Sequence, residues 1–351
     1  MLDSLSTPGA HPCVRLGRLL DPREPVAHAV ESGAQPMVGV AIDSDLLAVA
    51  GRHHMVAALA SALSRRGLRP DDPDLAAYLD AIHGLNARRN ARVMAEIAEV
   101  AAALAGRGIR PVFLKGAALL LRGTHADPAS RFLGDIDVLV APEATGAAAA
   151  ALAAVGFRQK PAGPAHVHDR VKLVHPHRPA QVELHHPAVP AHLAGPLVAA
   201  AMRADARPVA ALPGAAVPTT TDLAIHNVLH AMLHDWNLAM AELPLRDALD
   251  LALLARDPAL EWDAVVARIA RAPHGSAALA FCLAATREAF PWAELPALPV
   301  TGAAARALRA WRDRRGRPTG RVRRRLANVA EHSGRAWRGV TRALHPAGAR
   351  A

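Results

Sequence analysis

Aromatic side chains make up only 3% of this chain, which argues against a core or ligand surface built from stacked rings. With alanine abundant, the expectation is helices packed closely through small side chains. Two cysteines, Cys13 and Cys282, stand at opposite ends of the sequence. Nothing else in the sequence suggests a disulfide framework, which makes a reducing cytoplasm the expected compartment. The opening residues carry no basic segment followed by an apolar run, and no stretch is apolar for long enough to span a bilayer, so a soluble, cytoplasmic protein without membrane contact is expected. Lysine is nearly absent: three, at 115, 160 and 172, against 38 arginines. A bias that strong looks like coding preference and weakens any argument from arginine abundance. It also makes the place of the three lysines, all mid-chain, informative.

A shortage of negative charge belongs to one end only. The net charge is +10, yet residues 301–351 alone hold 14 arginines against 2 acids, leaving about −2 for the rest. The basic character therefore belongs to a tail, which is either a solvated end or a contact for nucleic acid or another acidic partner.

What is present begins with Arg131-Phe-Leu-Gly-Asp-Ile-Asp-Val-Leu-Val140. In an extended strand alternate side chains share a face, so Asp135 and Asp137 point the same way while Ile136 and Val138 turn to a core. Two carboxylates that close repel unless a cation lies between them, and a hard, oxygen-seeking ion such as Mg²⁺ answers that need. Gly134, just ahead, leaves room for a phosphate or a backbone to approach.

Along the chain the period changes twice. Residues 1–40 read as irregular with one short helix. A helical region over 41–107 is expected as three helices: 44–66, then 72–85 opened by Asp72 and Pro73, then 86–106 with Val93, Ile97, Val100 and Leu104 on one stripe. A strand-bearing core over 108–190 follows, with strands at 109–114, 135–140, 171–175 and 181–185. The first runs through Lys115-Gly116 into a helix start, which suits a phosphate. Residues 191–220 read as a linker, 221–300 as a helical domain opened by a cap at Thr220-Thr221-Asp222, and 301–351 as the arginine-rich tail.

Several side chains carry two readings. Glu183, between Val182 and Leu184, is either a solvent-facing strand acid or a third carboxylate. Lys115 is a solvated loop end or a point charge on a phosphate. Arg131 either contacts phosphate or pairs with Asp135. His226, His230 and His234 form one stripe at i, i+4 and i+8. They either pack against the core, bind zinc, or reach across a cleft with Asp235 or Asp247; His185 and His186 sit beside Glu183 with roles open.

The order of these pieces resembles the uncharacterised nucleotidyltransferases of the polymerase-β-like superfamily. The matching text is Gly108-Ile-Arg-Pro-Val-Phe-Leu-Lys-Gly116, the Arg131–Val140 run, Val182-Glu-Leu-His185, and a helical section with Leu229-His230 and Arg246-Asp247, over roughly Ser44 to Leu260. The resemblance implies an α+β fold: a small mixed β-sheet nucleotidyltransferase core between N-terminal and C-terminal helical regions. It implies that Asp135, Asp137 and Glu183 are catalytic and ligate two Mg²⁺ ions bridging an NTP, and that Lys115, Gly116, Arg131 and Gly134 lie against it. Two departures stand out. Gly116 is followed by alanine where the superfamily commonly has serine, and the third acid is Glu rather than Asp, one methylene longer.

The expected activity is transfer of an NMP group from an NTP to an acceptor, with release of pyrophosphate. The competing expectations are a catalytically silent module of the same fold that uses its tail on RNA or a protein, and a zinc hydrolase built on the histidine helix.

Overall fold

The computed structural model describes residues 11–23, 37–161 and 170–314. The tail beyond 314, and the nucleic-acid contact expected of it, lie outside the described residues.

The early short helix is α1 (Pro12–Leu19). Residues 44–66, expected as one helix, form two, α2 (Ser44–Arg52) and α3 (Val56–Arg65). The break comes at His54, whose left-handed backbone (φ 56°) turns the chain. The next two expected helices are instead one, α4 (Pro73–Ala105), 33 residues long. Asp72 caps it, its carboxylate accepting from the amides of Asp74 and Leu75, and nothing between Leu85 and Asn86 interrupts the backbone ladder. A two-stranded parallel sheet, β1 (Val38–Val40) with β2 (Leu68–Pro70), joins this region.

The main sheet has seven strands: β3 (Val112–Phe113), β4 (Asp135–Leu139), β5 (Arg158–Gln159), β6 (Arg170–Val174), β7 (Gln181–His185), β8 (Arg207–Pro208) and β9 (Ala216–Val217). Their order is β5-β6-β7-β4-β3-β9-β8. β4 lies parallel to β7 and antiparallel to β3, and β9 lies parallel to β3, so the sheet is mixed. With helices on its flanks this is the α+β fold expected. The strand expected over 109–114 shrinks to two residues, and the stretch 191–220, expected as a linker, contributes β8 and β9. Both differences have one cause: a two-residue strand carries no period to read.

Between strands run α5 (Lys115–Leu121), α6 (Thr145–Ala154) and α7 (Ala199–Ala204). After β9 come α8 (Thr220–Val228), a π-helical turn Leu229–His234, α9 (Asn237–Met240), α10 (Leu245–Leu254), α11 (Trp262–Ile269), α12 (Gly275–Ala289) and α13 (Gly302–Arg314). Thr219 caps α8, its hydroxyl accepting from the Asp222 amide at 3.1 Å, one residue ahead of the expected cap. Among the described residues no helix is long and apolar enough to cross a membrane.

Two apolar cores hold the site in place. In one, the α4 stripe Val93, Ile97, Val100 and Leu104 meets Phe113, Ile136, Val138 and Leu184 of the sheet. In the other, α1–α3 meet α8–α12 through residues such as Leu59, Ile225, Leu251 and Phe281. Each such side chain, removed from water, contributes about 1.5–3 kcal/mol. Cys13 and Cys282 are free and buried, and burial pushes their thiols up to about 11 and about 12.

Candidate active site

β4 and β7 run side by side in a register that sets Asp137 opposite Glu183 and Asp135 opposite Gln181. Two neighbouring strands thus bring the third acid to the aspartate pair. Asp137 and Glu183 are buried, while Asp135, at the strand's start, is partly exposed at the mouth of a cleft.

The strand is delivered to this position by α4. Asn90 donates to the carbonyls of Pro128 and Arg131, each at 2.7 Å, and Asn86 donates to that of Ala129. Arg89 reaches the carbonyls of Leu133 and Pro179 and lies over the Phe132 ring. Three polar residues on one stretch of helix therefore tie down the loop 128–134 that feeds β4.

Lys115 sits where β3 turns into α5, in a left-handed conformation (φ 49°). Its ammonium donates to Asp137 Oδ1 at 2.8 Å, and His185 Nε2 meets the same oxygen at 2.7 Å. The other two lysines gather here as well. Lys172 pairs with Glu183 Oε1 at 3.1 Å, and Lys160 donates to Gln181, whose amide donates to that same Glu183 oxygen. Lys115 and Lys172 thus contact the acids directly, and Lys160 reaches Glu183 through Gln181.

These charges set the ionisation. Burial pushes Asp137 upward, but the Lys115 charge and the His185 hydrogen bond outweigh it and hold the carboxyl far below the usual range. Asp135 is raised, first by burial and then by the charge of Asp137. A carboxylate raised by its neighbour is relieved by a dication between them, so the donor set fits a metal. Ligand atoms of Asp137, Glu183 and His185 lie within 4.8 Å of one another. Asp135 falls outside that group, on the cleft side.

Lys115, Gly116, Arg131, Gly134 and Asp135 all line the cleft. At Gly116, in the first turn of α5, a Cβ would come within 2.6 Å of Leu133 Cδ1, so a side chain there would push the Leu133 end aside. Arg131 borders the cleft, and its hydrogen bonds to a carboxylate run to Asp250 rather than to Asp135. It forks onto Asp250 of α10, with Nε 3.0 Å from both oxygens and Nη2 2.8 Å from Oδ2. His125 shares Asp250 Oδ1 at 2.8 Å.

The opposite wall is helical. His226, Asn227, His230, Asp235 and Asp247 face the same space. His226 is fully buried, and neither ring nitrogen has a hydrogen-bond partner. Burial, reinforced by the Lys115 charge, keeps it neutral, its pKa well below the usual value. His186 follows β7 half-buried.

Asp250, His125 and the α4 amides were missed by sequence reasoning. Asn86 and Asn90 leave a signal, two amides at i and i+4 on a helix. Asp250, an acid between Leu249 and Leu251, leaves a fainter one.

Residues 42–291 match a family model described as uncharacterised nucleotidyltransferase. No curated protein matches the chain.

Proposed function

The chain belongs to this family of uncharacterised nucleotidyltransferases, and on that premise we propose that it moves an NMP group from an NTP to an acceptor, releasing pyrophosphate with the help of Mg²⁺. The observation that carries the reading is the β4–β7 register, which pairs Asp137 with Glu183 beneath a cleft that Asp135 lines. Asp135, Asp137 and Glu183 would hold the two ions, Asp137 and Glu183 from their paired strands and Asp135 from the cleft side. Mg²⁺ held there supplies charge neutralisation for the triphosphate and a lowered pKa for the acceptor hydroxyl.

The chain's own groups do the positioning. His185 fixes the Asp137 carboxylate through their hydrogen bond. Lys115, paired with Asp137, lines the cleft and would offer its charge to a phosphate there. Gly116 keeps the turn beside it low enough for the phosphates to pass, and Gly134 keeps the rim open. Lys172 and Lys160 add positive charge on the Glu183 side. Arg131 acts through Asp250, holding the start of β4 against α10. His226 offers a neutral imidazole to the bound nucleotide or acceptor. The acceptor is a small molecule, peptide, protein or RNA group, and the two buried thiols suit work in the cytoplasm.

The test is pyrophosphate release from a panel of NTPs with Mg²⁺, comparing wild type with Asp135→Ala and Asp137→Ala. Turnover lost in both variants supports the reading. Equal release by all three proteins, or NTP binding with no release under any acceptor mixture, overturns it in favour of a silent binding module. Mass spectrometry of acceptors incubated with labelled NTPs then looks for the mass of one added nucleotide.

A further inference from the structure

The helical wall of the cleft carries a second group of metal-binding side chains that the nucleotidyl-transfer reading does not use. His230, His234 and Asp235 each offer one ligand atom, and these lie within 4.8 Å of one another. The two rings stand with centroids 4.9 Å apart, and His230 Nδ1 is 3.3 Å from Asp235 Oδ2.

The backbone explains how three such groups meet. In an α-helix a residue five positions on points about 140° away, so Asp235 would face away from His230. Residues Leu229–His234 are instead wound as a π-helix, and the Asp235 amide donates to the His230 carbonyl at 2.9 Å, closing the wider turn. Each residue of a wider turn rotates less, which carries Asp235 back toward the face of His230 and His234. Trp236 then takes a left-handed conformation (φ 62°) that ends the segment directly after the third donor. His226 stays outside the group.

The donor chemistry differs from that of the strand site. Two imidazoles and one carboxylate suit zinc or another late first-row dication, whereas Mg²⁺ takes oxygen donors. His230 and Asp235 line the cleft that Asp135 also lines, and Asp235 is exposed enough for an ion to enter from solvent. Three protein ligands leave a coordination position over, as in open zinc sites.

We propose that His230, His234 and Asp235 form a second metal site, for zinc or a similar transition-metal dication, on the helical wall of the cleft. Its remaining coordination position takes an oxygen donor from whatever occupies that space. The proposal stands on the histidine wall alone, so metal content tests it separately from nucleotide turnover.

The full-length protein is stripped with a chelator and dialysed against zinc, and bound metal is measured by mass spectrometry for wild type, His234→Gln, Asp235→Asn and Asp137→Asn. The expected result is one equivalent in wild type, retained in Asp137→Asn. Affinity falls at least about tenfold in each of the other two, with far-ultraviolet circular dichroism unchanged. Cobalt added to stripped wild type is expected to give the strong visible bands of a low-coordinate site, which serves as the readout should a variant misfold. No zinc and no such cobalt spectrum in wild type overturns the proposal. So does zinc binding that both His234→Gln and Asp235→Asn leave intact, or that Asp137→Asn abolishes.

Discussion

Arg131 and Asp250, 119 residues apart, meet in a buried, forked ion pair that ties the entry of β4 to α10. Burial alone would push the Asp250 carboxyl up, but Arg131, with the His125 hydrogen bond, holds it well below the ordinary range. Truncating one side leaves the other charge buried and alone. Arg131→Ala is expected to cost about 3–5 kcal/mol of stability, and Arg131→Lys to recover only part of it because the fork is lost. Urea denaturation measures both; a loss under about 1 kcal/mol for Arg131→Ala would show the pair to be incidental.

Asp137→Asn keeps the shape of the side chain and removes its charge. Nucleotide turnover is expected to fall by about 10²–10³, the loss of several kcal/mol of charge stabilisation, with little change in the circular dichroism spectrum. Initial rates of pyrophosphate release decide this, and wild-type rates in the variant would remove Asp137 from the chemistry.

Lys115 is expected to act on the nucleotide as well as on the buried Asp137 with which it pairs. A charge-assisted contact to phosphate is worth about 1.5–3 kcal/mol, or about 10–100-fold in affinity. Lys115→Met should therefore weaken the thermal stabilisation given by Mg²⁺ with a non-hydrolysable NTP analogue. An unchanged shift would leave Lys115 as a partner of Asp137 only.

His226 points to a stability cost maintained for function. Both of its nitrogens are buried without partners, and leaving such a group unsatisfied costs about 1–3 kcal/mol. His226→Leu is expected to raise the melting temperature of the ligand-free protein while lowering turnover. A variant that melts lower and turns over normally would mean the ring is ordinary packing.

Glu96, on the inner face of α4, gives a pH signature. Its Oε2 accepts from the Ala180 amide at 3.2 Å, and Oε1 is buried without a partner. Burial raises its pKa from 4.5 to about 7, against the pull of that amide. The neutral acid is thus favoured in the fold, and the stability this lends is complete below pH 4.5 and lost as pH climbs through about 7. Melting temperatures across that window should decline in wild type and decline less in Glu96→Gln; parallel curves would rule Glu96 out as the cause.

Legibility from sequence followed the range of the interaction. The Asp135–Val138 alternation is a local pattern, and its strand and its apolar face could be expected from it; Glu183 as the third acid came with the family resemblance, since its own triplet fits a solvent-facing residue equally well. The lysines were informative because there are so few. The break at His54 and the turn at Trp236 were not readable, since no glycine stands at either position to mark a left-handed backbone. Nor was the π-turn, because the same histidine spacing fits an ordinary helix. The Arg131–Asp250 pair links distant segments, and no local pattern connects the two.

The parallel seam between β9 and β3 limits how this protein can be cut. A polypeptide confined to residues 108–190 would retain both aspartates and Glu183, yet it would present Val112 with a row of unsatisfied amides and carbonyls where Ala216 now sits. Such a naked border recruits other chains. Excised fragments of this span should therefore clump, and shortened versions made for assay need to run through at least Val217.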